Sequence, residues 1–159
     1  MRPAPSNRID ERALSVWRLT GLIISMIVFL LSIVATILLF SWLEIQWLLA
    51  VLPVVLSFIL GILLTLVIPK VRYRRWRYQV SEGYVDFQHG ILIIKRTLIP
   101  MARVQYVDTV QGPLLRYYGL ASITISTAGG SHEIPALAGE VADNLRDHIA
   151  QLAQVADDV

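Results

Sequence analysis

The fold is decided by the stretch WLLAVLPVVLSFILGILLTLVIPKVRYRRWR, residues 47–77. Residues 47–68 carry no charge, and a basic cluster then follows at once: Lys70, Arg72, Arg74, Arg75 and Arg77. An uncharged run of this length suits a helix that crosses a bilayer core of about 30 Å at about 1.5 Å per residue. Because Lys and Arg beside a span resist translocation, this cluster predicts a cytoplasmic end that meets anionic headgroups.

The composition separates a membrane part from a soluble part. Of 159 residues, 55% are hydrophobic and 16% are charged, whereas ordinary soluble domains have about 25% charged residues. Residues 19–69 hold almost no charge, and residues 70–159 are long enough for one modest core. The net charge is only +2, which gives no reason to expect a nucleic-acid partner. The basic residues are concentrated beside the apolar runs, which favours a topology signal. The chain lacks cysteine, so disulfides and thiolate chemistry are excluded.

A first span is predicted before the second. Residues 1–18 contain Pro3, Pro5 and four arginines and are expected to form a loose, polar cytoplasmic lead-in. A short interfacial helix over residues 9–17 is the alternative, because Ile9, Leu14, Val16 and Trp17 are apolar. Residues 19–40 are uncharged. A cleaved signal peptide is the rival interpretation, but the run exceeds the usual apolar length of about 7–15 residues and no A-x-A site follows it. We therefore expect a transmembrane helix.

The two spans predict a hairpin in the cell membrane. Residues 41–46 form a short link, bracketed by Trp42 and Trp47, with arginines only at the outer ends, so both termini are expected inside. Ser57, Gly61 and Thr65 form a small-residue row that permits close helix approach, either within the hairpin or with a second membrane protein. No ionisable residue lies in either span, which disfavours a proton relay.

Beyond residue 71 the pattern becomes strand-like. Alternating segments predict six strands at residues 72–80, 84–88, 91–99, 103–110, 121–127 and 132–134. Val141, Leu145, Ile149 and Leu152 share one face of a predicted helix over residues 139–154. The sequence therefore predicts an α+β membrane protein, in which a bent antiparallel sheet follows the hairpin and the C-terminal helix caps it.

Several fragments resemble one known family. The runs IPMARVQYVD (99–108), QGPLLR (111–116) and YGLA (118–121) are similar to the bacterial pleckstrin-homology-like (PH-like), membrane-flanked family, which is YdbS-like. TAGG (127–130) and EIP (133–135) continue the match, and the resemblance covers the whole chain. It implies a bent, seven-stranded antiparallel sheet capped by a C-terminal helix, and it supplies no catalytic residues.

The resemblance also implies a role. Members look like non-enzymatic cytoplasmic modules, often encoded beside a larger protein that repeats the membrane-plus-PH unit. Such pairs look like subunits of one complex, and some are linked to protection against antimicrobial peptides under envelope stress. The resemblance therefore implies an accessory or scaffold subunit whose partners are membrane lipids, a membrane protein with repeated PH-like domains, or a second copy of the chain.

The residues themselves give little support for catalysis. His89, His132 and His148 have no common spacing, and no hydrolase, zinc or phosphate-loop motif is present. Asp143 and Asp147 lie one helical turn apart, but a solvated face is favoured over a metal site because Arg146 is adjacent. We expect no enzyme activity, no cofactor and no metal.

Binding surfaces remain as the alternatives. Arg103, Gln105, Arg116 and Tyr117 are candidate partner contacts, since Arg and Tyr are enriched where proteins bind. Packing of Tyr118 and an Arg116–Asp108 ion pair are the structural alternatives. A sensor of anionic headgroups is the second functional hypothesis, although the first hairpin of the sheet, Ser81-Glu82-Gly83, is acidic.

Overall fold

The computed structural model describes residues 4–42 and 51–157, which form two compact units. Residues Trp17–Val71 make up one unit, and the rest of the described chain makes up the other. The first is a pair of long helices and the second is a sheet domain with a C-terminal helix, so the predicted fold class is confirmed.

The helical unit contains the two predicted spans. Helix α1 is Arg12–Trp42 and helix α2 is Leu52–Arg75, and both are long and apolar enough to cross a membrane. Pro53 lies in the first turn of α2, where its missing N–H costs no intrahelical hydrogen bond. Leu63–Val67 of α2 is π-helical. Residues 43–50, which include most of the predicted link and Trp47, lie outside the described residues.

The other unit contains two antiparallel sheets. One has the order β1-β2-β3-β4, with β1 Asn7–Arg8, β2 Arg77–Ser81, β3 Tyr84–His89 and β4 Lys95–Pro100. The other has the order β5-β6-β7, with β5 Val104–Val110, β6 Leu120–Thr127 and β7 Gly130–Ala138. A 3-10 turn, Met101–Arg103, joins β4 to β5; helix α3 is Pro113–Tyr117 and helix α4 is Gly139–Asp157.

The core lies between the strands and α4. Buried residues are concentrated on β3, β6 and β7, and Ile149 of α4 is fully buried as well. The buried strand residues include Val85, Phe87, Leu120, Ile123, Ile125 and Ile134. The predicted helix face is shifted at its start, because Val141 is 46% exposed whereas its neighbour Ala142 is buried. Small Ala142 lets the helix approach the sheet closely.

Two predicted strands were wrong at their starts. Residues 72–75 were expected in a strand, but α2 continues to Arg75, and the Trp76 N–H still donates to the Arg72 carbonyl at 3.0 Å. Alternating arginines imitate a strand period, while the hydrogen-bonded helix simply extends past the apolar run. Residues 91–94 were also expected in a strand, yet pairing with β3 begins only at Lys95.

The N-terminal segment is not the loose lead-in that was expected. Asn7 and Arg8 pair with β2, and Ile9 is buried. The Asp10 N–H donates to the Ala136 carbonyl at 3.2 Å. The Asp10 carboxylate accepts hydrogen bonds from the backbone and guanidinium of Arg12, and the guanidinium bond lowers the pKa of Asp10. The segment is therefore an integral part of the sheet domain.

Candidate functional site

The predicted basic cluster does not form one surface. Lys70 and Arg74 are exposed and, four residues apart, lie on one side of the last turns of α2. Arg72 is two residues from each of them and therefore projects from a different side of the helix. Arg77 has left the helix and stands in β2, opposite Arg8 of β1. Arg72 instead lines a cleft of the sheet domain.

The small-residue row of α2 faces α1. The Ser57 and Ser32 hydroxyls are 2.9 Å apart and share a hydrogen bond. A Cβ on Gly61 would lie 3.2 Å from the Cβ of Ser25, so Gly61 allows the close approach. Thr65 lies at the same contact, where a side chain on Gly21 would clash with the neighbouring Leu64 carbonyl. All three predicted packing residues thus meet at the hairpin interface.

Two of the predicted partner residues line a groove. Arg103 and Gln105 lie on a groove of about 880 Å³ between β4 and β5, with Leu98 and Tyr106 also exposed along it. Both β4 and β5 are edge strands of their sheets. The groove therefore presents both polar and apolar side chains beside two strand edges.

The other two partner residues lie elsewhere. Arg116 and Tyr117 belong to α3, beyond the far end of β5, whose seven residues span about 23 Å. Tyr117 is 82% exposed and packs edge-on against half-buried Tyr118. Among the ion pairs of the described residues, none joins Arg116 to Asp108. The four residues therefore do not form a single contact surface.

A second concave site was not predicted, and we name it the histidine cleft. It has a volume of about 390 Å³ and lies between the end of α2, the β3–β4 hairpin and β7. Its lining combines cations, histidines, aromatic rings and one carboxylate: Arg72, Trp76, Phe87, His89, Lys95, Thr97, Ser131, His132, Glu133 and Pro135. The two histidines, unrelated in sequence, thus share one site.

Ring stacking organises the histidine cleft. The Trp76 and His89 rings are stacked with centroids 5.5 Å apart, and the buried Phe87 ring lies 6.0 Å from His89 and 5.4 Å from His132. Burial lowers the pKa of His89, and the positive charges of Lys95 and Arg72 add to this effect. His89 is therefore neutral at pH 7. Among the described residues, its Nδ1 is the one buried side-chain nitrogen or oxygen without a hydrogen-bond partner.

An exposed apolar segment adjoins the cleft. Residues 91–94, Ile-Leu-Ile-Ile, connect β3 to β4, and we name them the aliphatic tip. Leu92 is 93% exposed and Ile93 is 83% exposed. At the base of this hairpin, the buried Asp86 carboxylate accepts a forked set of hydrogen bonds from Arg96, which also raises the pKa of Arg96. The ion pair fixes the two strands that carry the tip.

The remaining polar candidates are accounted for by local pairing. Asp143 and Asp147 both pair with Arg146, at 3.2 and 2.8 Å. Within residues 4–42 and 51–157, no three acidic or histidine side chains gather as metal ligands would. The cleft was missed because it depends on how β3 of one sheet packs near β7 of the other, which brings His89 and His132 together. The one local signal was Gly90 before four aliphatic residues, which is typical of a turn.

The fold and these sites define a PH-like domain that follows, in sequence, two helices apolar enough to cross a membrane. The family described as Bacterial PH domain matches residues 13–153, so the chain belongs to this family, and the sequence-based resemblance is confirmed. The UPF0699 transmembrane protein YdbS of Bacillus subtilis (strain 168) is 47% identical over 159 residues, which are 99% of each chain.

A second relative matches over a shorter range. The UPF0699 transmembrane protein YdbT of the same strain is 24% identical over 83 residues, which are 50% of this chain and 17% of YdbT. No solved structure matches the chain. The chain is thus similar throughout to a small transmembrane protein and over half its length to part of a much longer one.

Proposed function

We propose that the chain is a non-enzymatic, membrane-anchored interaction module that serves as an accessory or scaffold subunit of a membrane complex. The observation that carries this proposal is the open groove between β4 and β5, because it combines two strand edges with exposed Arg103 and Gln105. A strand edge offers unpaired backbone groups that an extended segment of another protein can bind.

The partner that this groove suits is a protein segment in an extended conformation. Backbone pairing along β4 or β5 would supply affinity, and exposed Leu98 and Tyr106 offer apolar contacts that select side chains. Arg103 suits an acidic group on the same segment. Arg116 and Tyr117, which lie beyond the other end of β5, serve as a separate contact in this proposal.

The proposed partner is a larger membrane protein with repeated PH-like domains. Support comes from YdbT, since half of this chain is similar to a small part of that longer relative. A second copy of this chain is the alternative occupant. Protection of the cell envelope against antimicrobial peptides is the process that the family resemblance suggests for such a complex.

The proposed topology has both termini in the cytoplasm. In support of this topology, the pairing of Asn7 and Arg8 with β2 favours one side of the membrane for the segments before and after the two spans. Arginines before α1 and at the end of α2 favour the cytoplasmic side. Reporter fusions after residue 159 test the side: a cytoplasm-active reporter should be active and an export-dependent one should be silent.

Site-specific photo-crosslinking tests the groove. A photoreactive amino acid replaces Gln105 in the groove or, as the matched control, Gln151 on the exposed face of α4. We expect the groove position to trap one membrane protein with PH-like repeats and the control position to trap none. Equal trapping at both positions, or none at either in cells that produce such a protein, would contradict the proposal.

A sensor of anionic headgroups is the second candidate function. The histidine cleft favours it, because Arg72 and Lys95 face one cavity that contains a single carboxylate, Glu133. Hydrogen–deuterium exchange of the full chain should then slow at the sheet domain in nanodiscs that contain anionic lipid, relative to discs of zwitterionic lipid. Identical exchange in both would contradict it. A fragment that begins at residue 71 is unsuitable here because it lacks β1.

A further inference from the structure

The aliphatic tip exposes apolar side chains, although a turn between two strands does not require them. Four consecutive aliphatic side chains occupy residues 91–94, and each of them is exposed. Folded domains seldom present contiguous apolar surface to water unless it contacts a protein, a ligand or a membrane. The tip therefore indicates a binding surface.

The tip is held in a defined conformation. Gly90 has φ of +130°, and a side chain there would clash with the Ile93 carbonyl, so the backbone closes tightly behind the tip. His89 and Lys95 face each other as the last pair of the β3–β4 ladder. Just below them, Arg96 clamps the buried Asp86. This support presents the aliphatic side chains outward as a unit.

The stem of the tip is also the wall of the histidine cleft. His89 and Lys95 bracket residues 91–94 and line the cleft with Arg72, His132 and Glu133. The charged side chains that line the cleft are two cations and one carboxylate, so positive charge exceeds negative charge there. An anionic group in the cleft would lie directly beside an aliphatic surface. Amphiphiles with an anionic phosphate head and apolar tails have this combination.

We propose that the aliphatic tip inserts into the bilayer surface and that the histidine cleft binds the phosphate of an anionic phospholipid headgroup. The inference makes the second candidate function specific and rests on it, and it does not require a protein partner in the groove. A bilayer is the favoured occupant because the chain carries two candidate spans, which keep a membrane at high effective concentration. In sequence, Arg72 follows Ile68, the last apolar residue before Pro69, by only four positions.

The absence of cysteine allows a direct test on the full chain. Leu92→Cys carries an environment-sensitive fluorophore in nanodiscs of phosphatidylcholine, either pure or mixed with phosphatidylglycerol. Ala128→Cys, in the exposed β6–β7 turn, is the matched control. We expect a blue shift, and quenching by nitroxide-labelled acyl chains, for the label at 92 in the anionic discs. The label at 128 should report water in both.

Charge variants assign the headgroup to the cleft. Lys95→Gln should lower the insertion constant at position 92 about fivefold, because a cation near an anionic surface contributes about 1 kcal/mol. Arg146→Gln, which removes a cation of α4 that lines neither the cleft nor the groove, should leave the constant unchanged. Equal losses from both variants would overturn the cleft assignment.

Three outcomes would overturn the proposal, and each points to a different occupant. If free glycerol 3-phosphate, at matched ionic strength, causes a blue shift in pure phosphatidylcholine discs, the cleft binds a soluble anion and not a lipid headgroup. A shift that requires another membrane protein indicates a protein partner. Finally, the absence of a blue shift in every disc would show that the tip stays in water. If hydrogen exchange still responds to anionic lipid in that case, headgroup sensing holds without insertion of the tip. If hydrogen exchange does not respond either, both the insertion proposal and the headgroup-sensing proposal fail.

Discussion

Two hairpins of the sheet domain reverse the chain in opposite ways. Between β6 and β7 the turn is short and polar: the Thr127 hydroxyl donates to the Gly130 carbonyl and accepts from the Gly129 N–H. Between β3 and β4 the turn presents four aliphatic side chains to solvent. Since a polar turn suffices to reverse the chain, the aliphatic tip serves something other than folding.

The largest effect should come from the strand beneath the tip. Phe87→Ala removes a buried ring that contacts Trp76, His89 and His132, and should lower the free energy of unfolding by about 3–5 kcal/mol. Leu92→Ala, in the tip itself, should change it by less than about 0.5 kcal/mol. Denaturant unfolding of the full chain in detergent measures both. Comparable losses would mean that the tip belongs to the core.

Exchanging glycine for alanine compares the two turns directly. Gly90→Ala forces a side chain into a positive φ and against the Ile93 carbonyl, so it should cost about 1–3 kcal/mol. Gly129→Ala meets only the Thr127 hydroxyl at 3.8 Å and should cost less than about 0.5 kcal/mol. Thermal unfolding of the detergent-solubilised chain measures the difference. If the two variants unfold together, the tip is not conformationally fixed.

A smaller loss is expected from the polar turn. Thr127→Val keeps the shape of the side chain but removes both hydroxyl hydrogen bonds, at 3.0 and 3.2 Å. Because the site is open to water, the cost should be about 0.5 kcal/mol, at the low end for such bonds. The same unfolding assay applies, with Thr124→Val, which loses no such turn bonds, as the control. A neutral Thr127→Val would show that the glycines alone define this turn.

The smallest effect should be a pH dependence that involves the cleft. Because the folded-state pKa of His89 lies below its value in the unfolded chain, the unfolded chain binds the extra proton as pH falls. Stability should therefore be full above about pH 6.5, the unfolded histidine pKa, and decline as pH falls toward the folded pKa. His89→Gln should flatten this decline, whereas His148→Gln, on exposed α4, should not. Thermal unfolding at stepped pH values measures the slope, and an unchanged slope in His89→Gln would contradict the assignment.

Periodicity predicted the regular parts of the fold. The uncharged runs indicated α1 and α2, and the alternation through Val104–Val110 and Ile123–Ile125 indicated β5 and β6. Periodicity gave a wrong prediction where a strand-like alternation of side chains overlaps the end of a helix. Arginines at positions 72, 74 and 75 suggested a strand, but the helix continued through them because its backbone hydrogen bonds need no particular side chains there.

The histidine cleft and the aliphatic tip escaped prediction for a different reason. An apolar run such as residues 91–94 favours a buried strand, and only the backbone at Gly90 shows that it turns outward. The meeting of His89 and His132 depends on how β3 and β7 pack, which local sequence does not encode. Strand β1 was missed because its two residues are too few to show any period.

The pairing of β1 with β2 has a consequence for biosynthesis. Residues 7 and 8 are synthesised before the two long helices, whereas their strand partners follow those helices, and the Asp10 amide must wait for Ala136. In the proposed topology, failure of one helix to insert would leave β1 on the opposite side of the bilayer from the sheet that it completes. In that topology, closure of the first sheet therefore requires insertion of both helices, and it can occur only after β2 has been synthesised.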